Sequence, residues 1–210
     1  MKKILLILAF SIVLIIGYYF ISTPSSYKIK NKNPKGKSII CFGDSLTYGT
    51  GAPKDMNYPA QLSKMINQPV INLGIPGETT SMALKRIDKV IELDPKIVLI
   101  TLGGNDLKNG ISKKVTFANL KNIITTIQND NTLVIIGGID IPFFGKGFGQ
   151  AYAELARKTG SILVPNIYTG LLGNRDLMSD RIHPNSRGYT KLARKFYTVL
   201  KPYINQMHSK

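Results

Sequence analysis

Short runs of β-branched and aliphatic residues alternate along this chain with segments whose apolar positions recur at helical spacing. Residues 38–42, 70–73, 97–102, 132–137 and 161–164 are the strand candidates. Between them, Ala83, Ile87, Val90 and Ile91 fall at i, i+4, i+7 and i+8, one face of a helix, and Phe117, Leu120, Ile124 and Ile127 form a similar face. Tyr189, Leu192, Phe196 and Val199 do so again in a last helix that also carries Arg187, Lys191, Arg194 and Lys195. Alternation of strand and helix predicts an α/β fold, a mostly parallel five-stranded sheet with helices on both faces. In such sheets ligands bind beyond the C-terminal ends of the strands, at a topological switch point. Gly43-Asp44-Ser45, Gly74-Ile75-Pro76-Gly77-Glu78, Gly103-Gly104-Asn105-Asp106 and Gly137-Gly138-Ile139-Asp140 all fall just after strands, so they are expected on one rim.

The N-terminus follows a different pattern. Residues 4–21 are an apolar run interrupted by Ser11, Gly17 and two tyrosines, and they follow Lys2 and Lys3. A basic start and a stretch near bilayer length predict an exported or membrane-anchored chain. No A-x-A pattern follows and no cysteine is placed to take a lipid, which favours a retained anchor over a cleaved signal. Lys28, Lys30, Lys32, Lys35 and Lys37 beyond the run weaken the charge rule for orientation; long domains nevertheless translocate, and a catalytic domain outside the cytoplasm is expected, secreted if the segment is cut. The expected organisation is an anchor or signal over 1–22, a lysine-rich tether over 23–37, one domain over 38–205 and a tail over 206–210.

The net charge is +16, with 43% hydrophobic and 19% charged residues in 210, which describes a folded chain with a basic surface. No zinc pattern, helix-turn-helix signal or aromatic-basic RNA motif accompanies the charge, so it reads as attraction to anionic membrane surfaces and not as nucleic-acid binding. Cys41 is the only cysteine, and its neighbours Ile39, Ile40 and Phe42 make it a core residue of a strand. A metal site is not expected either, because the only histidine besides His183 is His208 in the tail.

Ser45 and His183 are the chemically suggestive pair. A serine hydroxyl becomes a nucleophile when a base takes its proton, and Asp180, three residues before His183, can orient that base. Pro184 keeps His183 out of a helix and in a turn or extended segment. Gly77 and Asn105 are candidate donors for a tetrahedral oxyanion, the glycine through its unobstructed N–H and the asparagine through its amide. Each residue alone has a plainer reading: Ser45 as a helix cap, Asp180, Gly77 and Asn105 as turn residues, His183 as a surface histidine.

The ordered set resembles the four blocks of the SGNH hydrolases, also called the GDSL esterases: Gly-Asp-Ser45 after the first strand, Asn72-x-Gly74-x-x-Gly77 after the second, Gly103-Gly104-Asn105-Asp106 after the third and Asp180-x-x-His183 before the last helix. The overall pattern is most similar to the bacterial thioesterase, lysophospholipase and arylesterase branch. That resemblance implies a three-layer sandwich with strand order 2-1-3-4-5, Ser45 as nucleophile, His183 as base and then acid, and Asp180 as its orienting partner. It further implies an oxyanion hole from Ser45, Gly77 and Asn105, with no cofactor. No Gly-x-Ser-x-Gly elbow supports the α/β-hydrolase alternative. The stretch 142–149, with Phe143, Phe144 and Phe148 among glycines, is off register for a dinucleotide loop; the resemblance implies that it walls the substrate site, and core packing is the plainer alternative. Arg181, between acid and base, departs from the small or polar residue usual there; it either places positive charge at the rim and favours anionic substrates, or it is a solvated arginine that points away.

The expected activity is hydrolysis of carboxylic esters or thioesters, including lysophospholipids, through an acyl-serine. The alternatives are an O-acetyl-glycan deacetylase and a non-catalytic membrane-tethered binding module.

Overall fold

The computed structural model describes residues 27–141 and 144–205. The strands are β1 (Ser38–Gly43), β2 (Ile71–Gly74), β3 (Pro95–Thr101), β4 (Leu133–Gly137) and β5 (Ile162–Val164). They form one parallel sheet in the order β2-β1-β3-β4-β5, as expected from the family resemblance. β3 and β4 are buried along almost their whole length, which is why they read as unbroken apolar runs and not as alternating ones.

The main helices are α1 (Ser45–Tyr48), α2 (Tyr58–Ile66), α3 (Thr80–Leu84), α4 (Asp88–Ile91), α5 (Gly104–Lys108), α6 (Lys113–Gln128), α7 (Phe148–Thr159) and α8 (Ser186–Asn205). α2 packs on α8, where the Tyr58 and Phe196 rings stack at 5.1 Å. α6 packs against α3 and α7, and Phe117 meets Phe148 and Tyr152 edge-on. Leu120, Ile124, Ile127, Tyr189, Leu192 and Phe196 are buried as their spacing predicts. Val199 is only partly buried, and Leu200 and Ile204 continue the core face of α8.

The face drawn through Ala83, Ile87, Val90 and Ile91 is split between α3 and α4. Hydrogen bonds from Lys85 N–H to Met82 C=O and from Arg86 N–H to Ala83 C=O tighten the chain to i+3 spacing between them. The break leaves Arg86 turned inward, where its guanidinium meets the Glu78 carboxylate at 2.5 Å and lies 4.3 Å above the Phe42 ring.

The packed domain begins before Ser38. Tyr27 donates its hydroxyl to the Ser161 carbonyl at 2.6 Å, Lys30 N–H reaches the Gly160 carbonyl, and the Asn31 amide bonds both Gln128 and Thr132. The part of the expected tether from Tyr27 onward is therefore laid against the domain. Its partners precede β4 and β5, so it lies at the N-terminal edge of the sheet, opposite the glycine-rich rim. Residues 4–21 and the tail lie outside the described residues, and among those described no helix is long and apolar enough to cross a membrane.

Candidate active site

The chain winds from β1 out to β2 on one side and from β3 out to β5 on the other, so the loops after β1 and β3 part at the switch point. Those loops carry Ser45 and Asn105. At the tip of β1 only glycine fits: a side chain on Gly43 would strike the Thr101 carbonyl and the Thr47 and Thr101 hydroxyls. Asp44 then caps α1 by accepting the Leu46 N–H at 3.0 Å. Because Asp44 takes the cap, the Ser45 hydroxyl is left free for another partner.

That partner is His183. Its Nε2 lies 2.9 Å from Ser45 Oγ, and its Nδ1 lies 2.7 Å from the Asp180 carboxylate. The other Asp180 oxygen accepts the N–H groups of Ile182 and His183 at 2.8 and 2.7 Å. Partial desolvation pushes the Asp180 carboxyl upward, but the hydrogen bonds from the His183 ring and those two backbone groups outweigh it and hold the acid below its ordinary range. The loop is also pinned from outside: Ser179 N–H bonds the His183 carbonyl, and the Tyr168 hydroxyl donates to the Ile182 carbonyl at 3.0 Å.

Asn105 opens the first turn of α5, and its amide donates to the Glu78 carbonyl at 3.0 Å and, more weakly, to Asp44 Oδ2 at 3.4 Å. Gly77 sits in the turn between β2 and α3 at φ +80°, a conformation that favours glycine, and a side chain there would meet nothing within 4 Å. Ile75 N–H ties this turn to the Gly43 carbonyl at 2.9 Å. Beneath lie the buried Glu78–Arg86 pair and Asp106, which accepts both the backbone N–H and the hydroxyl of Thr80. Burial, together with the nearby charges of Glu78 and Asp106, pushes the Asp44 carboxyl up to about 7 despite its hydrogen bonds to backbone N–H groups. Cys41 is fully buried, and burial pushes its thiol up to about 12, which keeps it inert.

Ser45, Asn105, Asp180 and His183 all border one cavity of about 480 Å³. Its apolar wall is built from Leu46, Leu107, Ile139, Ile141, Phe144 and Ile182. Gly77 does not line it. Of the three phenylalanines expected at the wall, Phe144 is there, half exposed, and Phe143 lies outside the described residues. Phe148 instead turns away from the cavity as the first residue of α7, buried against Phe117, because the glycine-rich stretch ends one residue earlier. The sequence reading missed Asp44 as a buried acid and Leu107, Ile139 and Ile141 as wall residues. All four sit in or just after the rim motifs, which was the available signal. Among the described residues no cluster of histidine, cysteine and carboxylates suits a metal ion.

Residues 41–191 match the GDSL-like lipase/acylhydrolase family. Esterase TesA of Pseudomonas aeruginosa is 26% identical over 180 residues, covering 80% of this chain and 90% of that protein. The thioesterase 1/protease 1/lysophospholipase L1 of Escherichia coli K12 is 26% identical over 177 residues, 80% of this chain and 85% of its own. Among solved structures, the psychrotrophic esterase EstA from Pseudoalteromonas sp., described as inhibited by monoethylphosphonate, superposes with a TM-score of 0.73 at 27% identity, covering 80% of this chain and 98% of that one. Since the family pattern runs from inside β1 into α8 and takes in every strand and every loop of the rim, the chain belongs to the GDSL-like lipase/acylhydrolase family, the SGNH hydrolases, and is an enzyme that cleaves ester bonds.

Proposed function

We propose that the chain hydrolyses medium or long acyl esters or thioesters through an acyl-serine formed on Ser45. The observation that carries this reading is the unbroken hydrogen-bonded line from Ser45 Oγ through the His183 ring to the Asp180 carboxylate, at 2.9 and 2.7 Å. His183 Nε2 takes the Ser45 proton as Oγ attacks the acyl carbonyl, and the proton then passes to the departing alcohol or thiol. Water repeats the sequence: it gives its proton to His183, attacks the acyl-serine, and releases the carboxylic acid as Oγ recovers the proton. Asp180 holds Nδ1 protonated, so Nε2 faces Ser45 as an acceptor.

The oxyanion is held by the N–H of Ser45, the N–H of Gly77 and the Asn105 amide. Of the two Asn105 hydrogen bonds, the 3.4 Å one to Asp44 is the weaker, and its N–H is the one a reacting oxygen takes over. Phe144 and the aliphatic wall receive the acyl chain, a reading supported by how little polar surface lies beyond the triad. Residues 1–22 act as an export segment and anchor, which fractionation of the expressed full chain with and without carbonate extraction tests.

A p-nitrophenyl ester series of increasing acyl length, run beside Ser45→Ala and an organophosphonate, tests the chemistry. Expected are turnover that rises beyond acetate, loss of about 10⁵- to 10⁶-fold in kcat in Ser45→Ala, and a phosphonate adduct on Ser45 alone. Turnover confined to acetate would make the enzyme a deacetylase, and an inert Ser45 with no turnover of any ester would make the site a binding module.

A further inference from the structure

Two cations stand at the cavity and have no role in the chemistry above. Arg181 borders it from the loop that carries the acid and base, and Lys108 borders it from the end of α5. Both are exposed, and neither has an ion-pair partner among the described residues. The two carboxylates that share the cavity are occupied. Asp180 accepts three hydrogen bonds from its own loop, and Asp44 is 3% exposed with the α1 cap to serve. Apart from Ser45, His183 and Asn105, which the chemistry above uses, the remaining wall is mostly aliphatic or aromatic. The cavity thus combines an apolar interior with two positive charges, contributed from separate loops, that have no ion-pair partner among the described residues.

An acyl chain satisfies only the apolar part. A neutral ester leaves the two cations with nothing but water, whereas an ester whose leaving group carries a phosphate gives the guanidinium a bidentate acceptor and the ammonium a point charge. We propose that Arg181 and Lys108 form an anion-reading mouth that selects acyl esters or thioesters whose leaving alcohol or thiol bears a phosphate. This inference rests on the reading of Ser45 as the nucleophile and adds to it the side of the substrate that leaves. Arg181 carries the larger share, because its planar fork matches phosphate geometry and it sits beside His183, where the leaving group collects its proton. Lys108 adds mainly long-range attraction, which salt screens over a Debye length of about 10 Å at 0.1 M.

Matched substrate pairs separate the two sources of phosphate. One pair is 1-acyl-glycerol-3-phosphate against the 1-acyl-glycerol of the same chain; the other is acyl-coenzyme A against the acyl-N-acetylcysteamine thioester. The readout is the ratio of kcat/KM within each pair for the full-length protein, Arg181→Gln, Arg181→Lys and Lys108→Gln, at low and high salt. The wild type is expected to favour the phosphate-bearing member in at least one pair, and the responding pair identifies the source. Arg181→Gln is expected to cut that ratio about 10-fold, mainly through KM, the loss of one charge-assisted contact. Arg181→Lys restores only part of it, because the ammonium keeps the charge but not the fork, Lys108→Gln lowers it about 3-fold, and salt lowers it in the wild type more than in Arg181→Gln. A ratio near one in both wild-type pairs, or a ratio that Arg181→Gln leaves unchanged because both members fall alike, overturns the proposal. If no member of either pair is turned over while p-nitrophenyl esters are, the mouth fails and the nucleophile stands; if neither is turned over, the fault lies with the nucleophile.

Discussion

The two halves of the candidate site are built by opposite means. Ser45 and Asn105 stand on a buried polar foundation: Asp44, Glu78 and Asp106 are all shielded from water, Arg86, paired with Glu78, also reaches the Gly43 and Leu73 carbonyls at the ends of β1 and β2, and Asp106 after β3 holds Thr80 after β2. Asp180 and His183 belong to one surface loop, with the Asp180 side chain 53% exposed and the His183 ring 15%. Their geometry comes from a few short-range hydrogen bonds within six residues, plus the Tyr168 hydroxyl. The half that carries Ser45 and Asn105 is therefore preorganised by the fold, and the half that carries Asp180 and His183 by local chain geometry. Damage to the first should appear in stability as well as rate, and damage to the second in rate almost alone.

The sharpest separation is expected from Asp180→Asn. The amide can still accept the Ile182 and His183 N–H groups, but it cannot hold Nδ1 protonated, so kcat should fall roughly 10⁴-fold while the denaturation midpoint barely moves. A large loss of stability would show that the loop is part of the foundation after all. Next comes Arg86→Met, which strands the buried Glu78 carboxylate and should cost about 3–5 kcal/mol in urea unfolding at constant slope. A cost below about 1 kcal/mol would mean that the inner half is held by packing alone. Asn105→Ala should lower kcat roughly 100- to 1,000-fold, the scale of one lost oxyanion donor, and should also lower stability, because the Glu78 carbonyl loses its donor.

The smallest effect is on pH dependence, and here the two acids should act in opposite senses. Asp44 has a folded pKa near 7 against an unfolded value of about 3.9, so between these limits the folded state binds a proton that the unfolded state lacks. Stability should decline as pH rises through that window and then level off, and Asp44→Asn should remove the decline in urea titrations from pH 4.5 to 8. Asp180 is shifted downward, so its contribution is complete above the ordinary carboxylate range and is lost only in stronger acid. A parallel decline in wild type and Asp44→Asn would show that Asp44 is ionised in the fold.

The uneven legibility of the sequence follows the same division. Strand positions could be read because a buried parallel strand needs consecutive apolar residues, and 97–102 and 132–137 are such runs. Ser45, Asn105, Asp180 and His183 could be read because each follows a strand or precedes the last helix in a recognisable block. The split of α3 from α4 could not, since Arg86 looks like a surface residue until its partner Glu78, eight positions away, is seen inside the protein. Phe148 misled because aromatic residues near a glycine-rich loop suit a pocket and a core equally well, and only the start of α7 separates the two. The lysine-rich segment before Ser38 looked like a tether by composition, yet its contacts at Gly160, Gln128 and Thr132 come from Tyr27, the Lys30 backbone and Asn31, which a count of lysines overlooks.

By itself, then, the sequence determined the chemistry that is available: a serine, one histidine in the folded domain, an acid three residues from it, and the strand–helix alternation that gathers their loops on one rim. These are properties of local pattern, and local pattern survives without coordinates. Only the tertiary structure decided which residue caps α1, leaving the Ser45 hydroxyl to face His183, 138 positions away. It likewise decided that Asp44 is buried beside two other acids, and that Arg181 and Lys108 border one apolar cavity without carboxylate partners. The physical reason is common to all three: solvent exclusion and electrostatic pairing depend on distances between residues far apart in the chain, and those distances exist only once the sheet has closed its core.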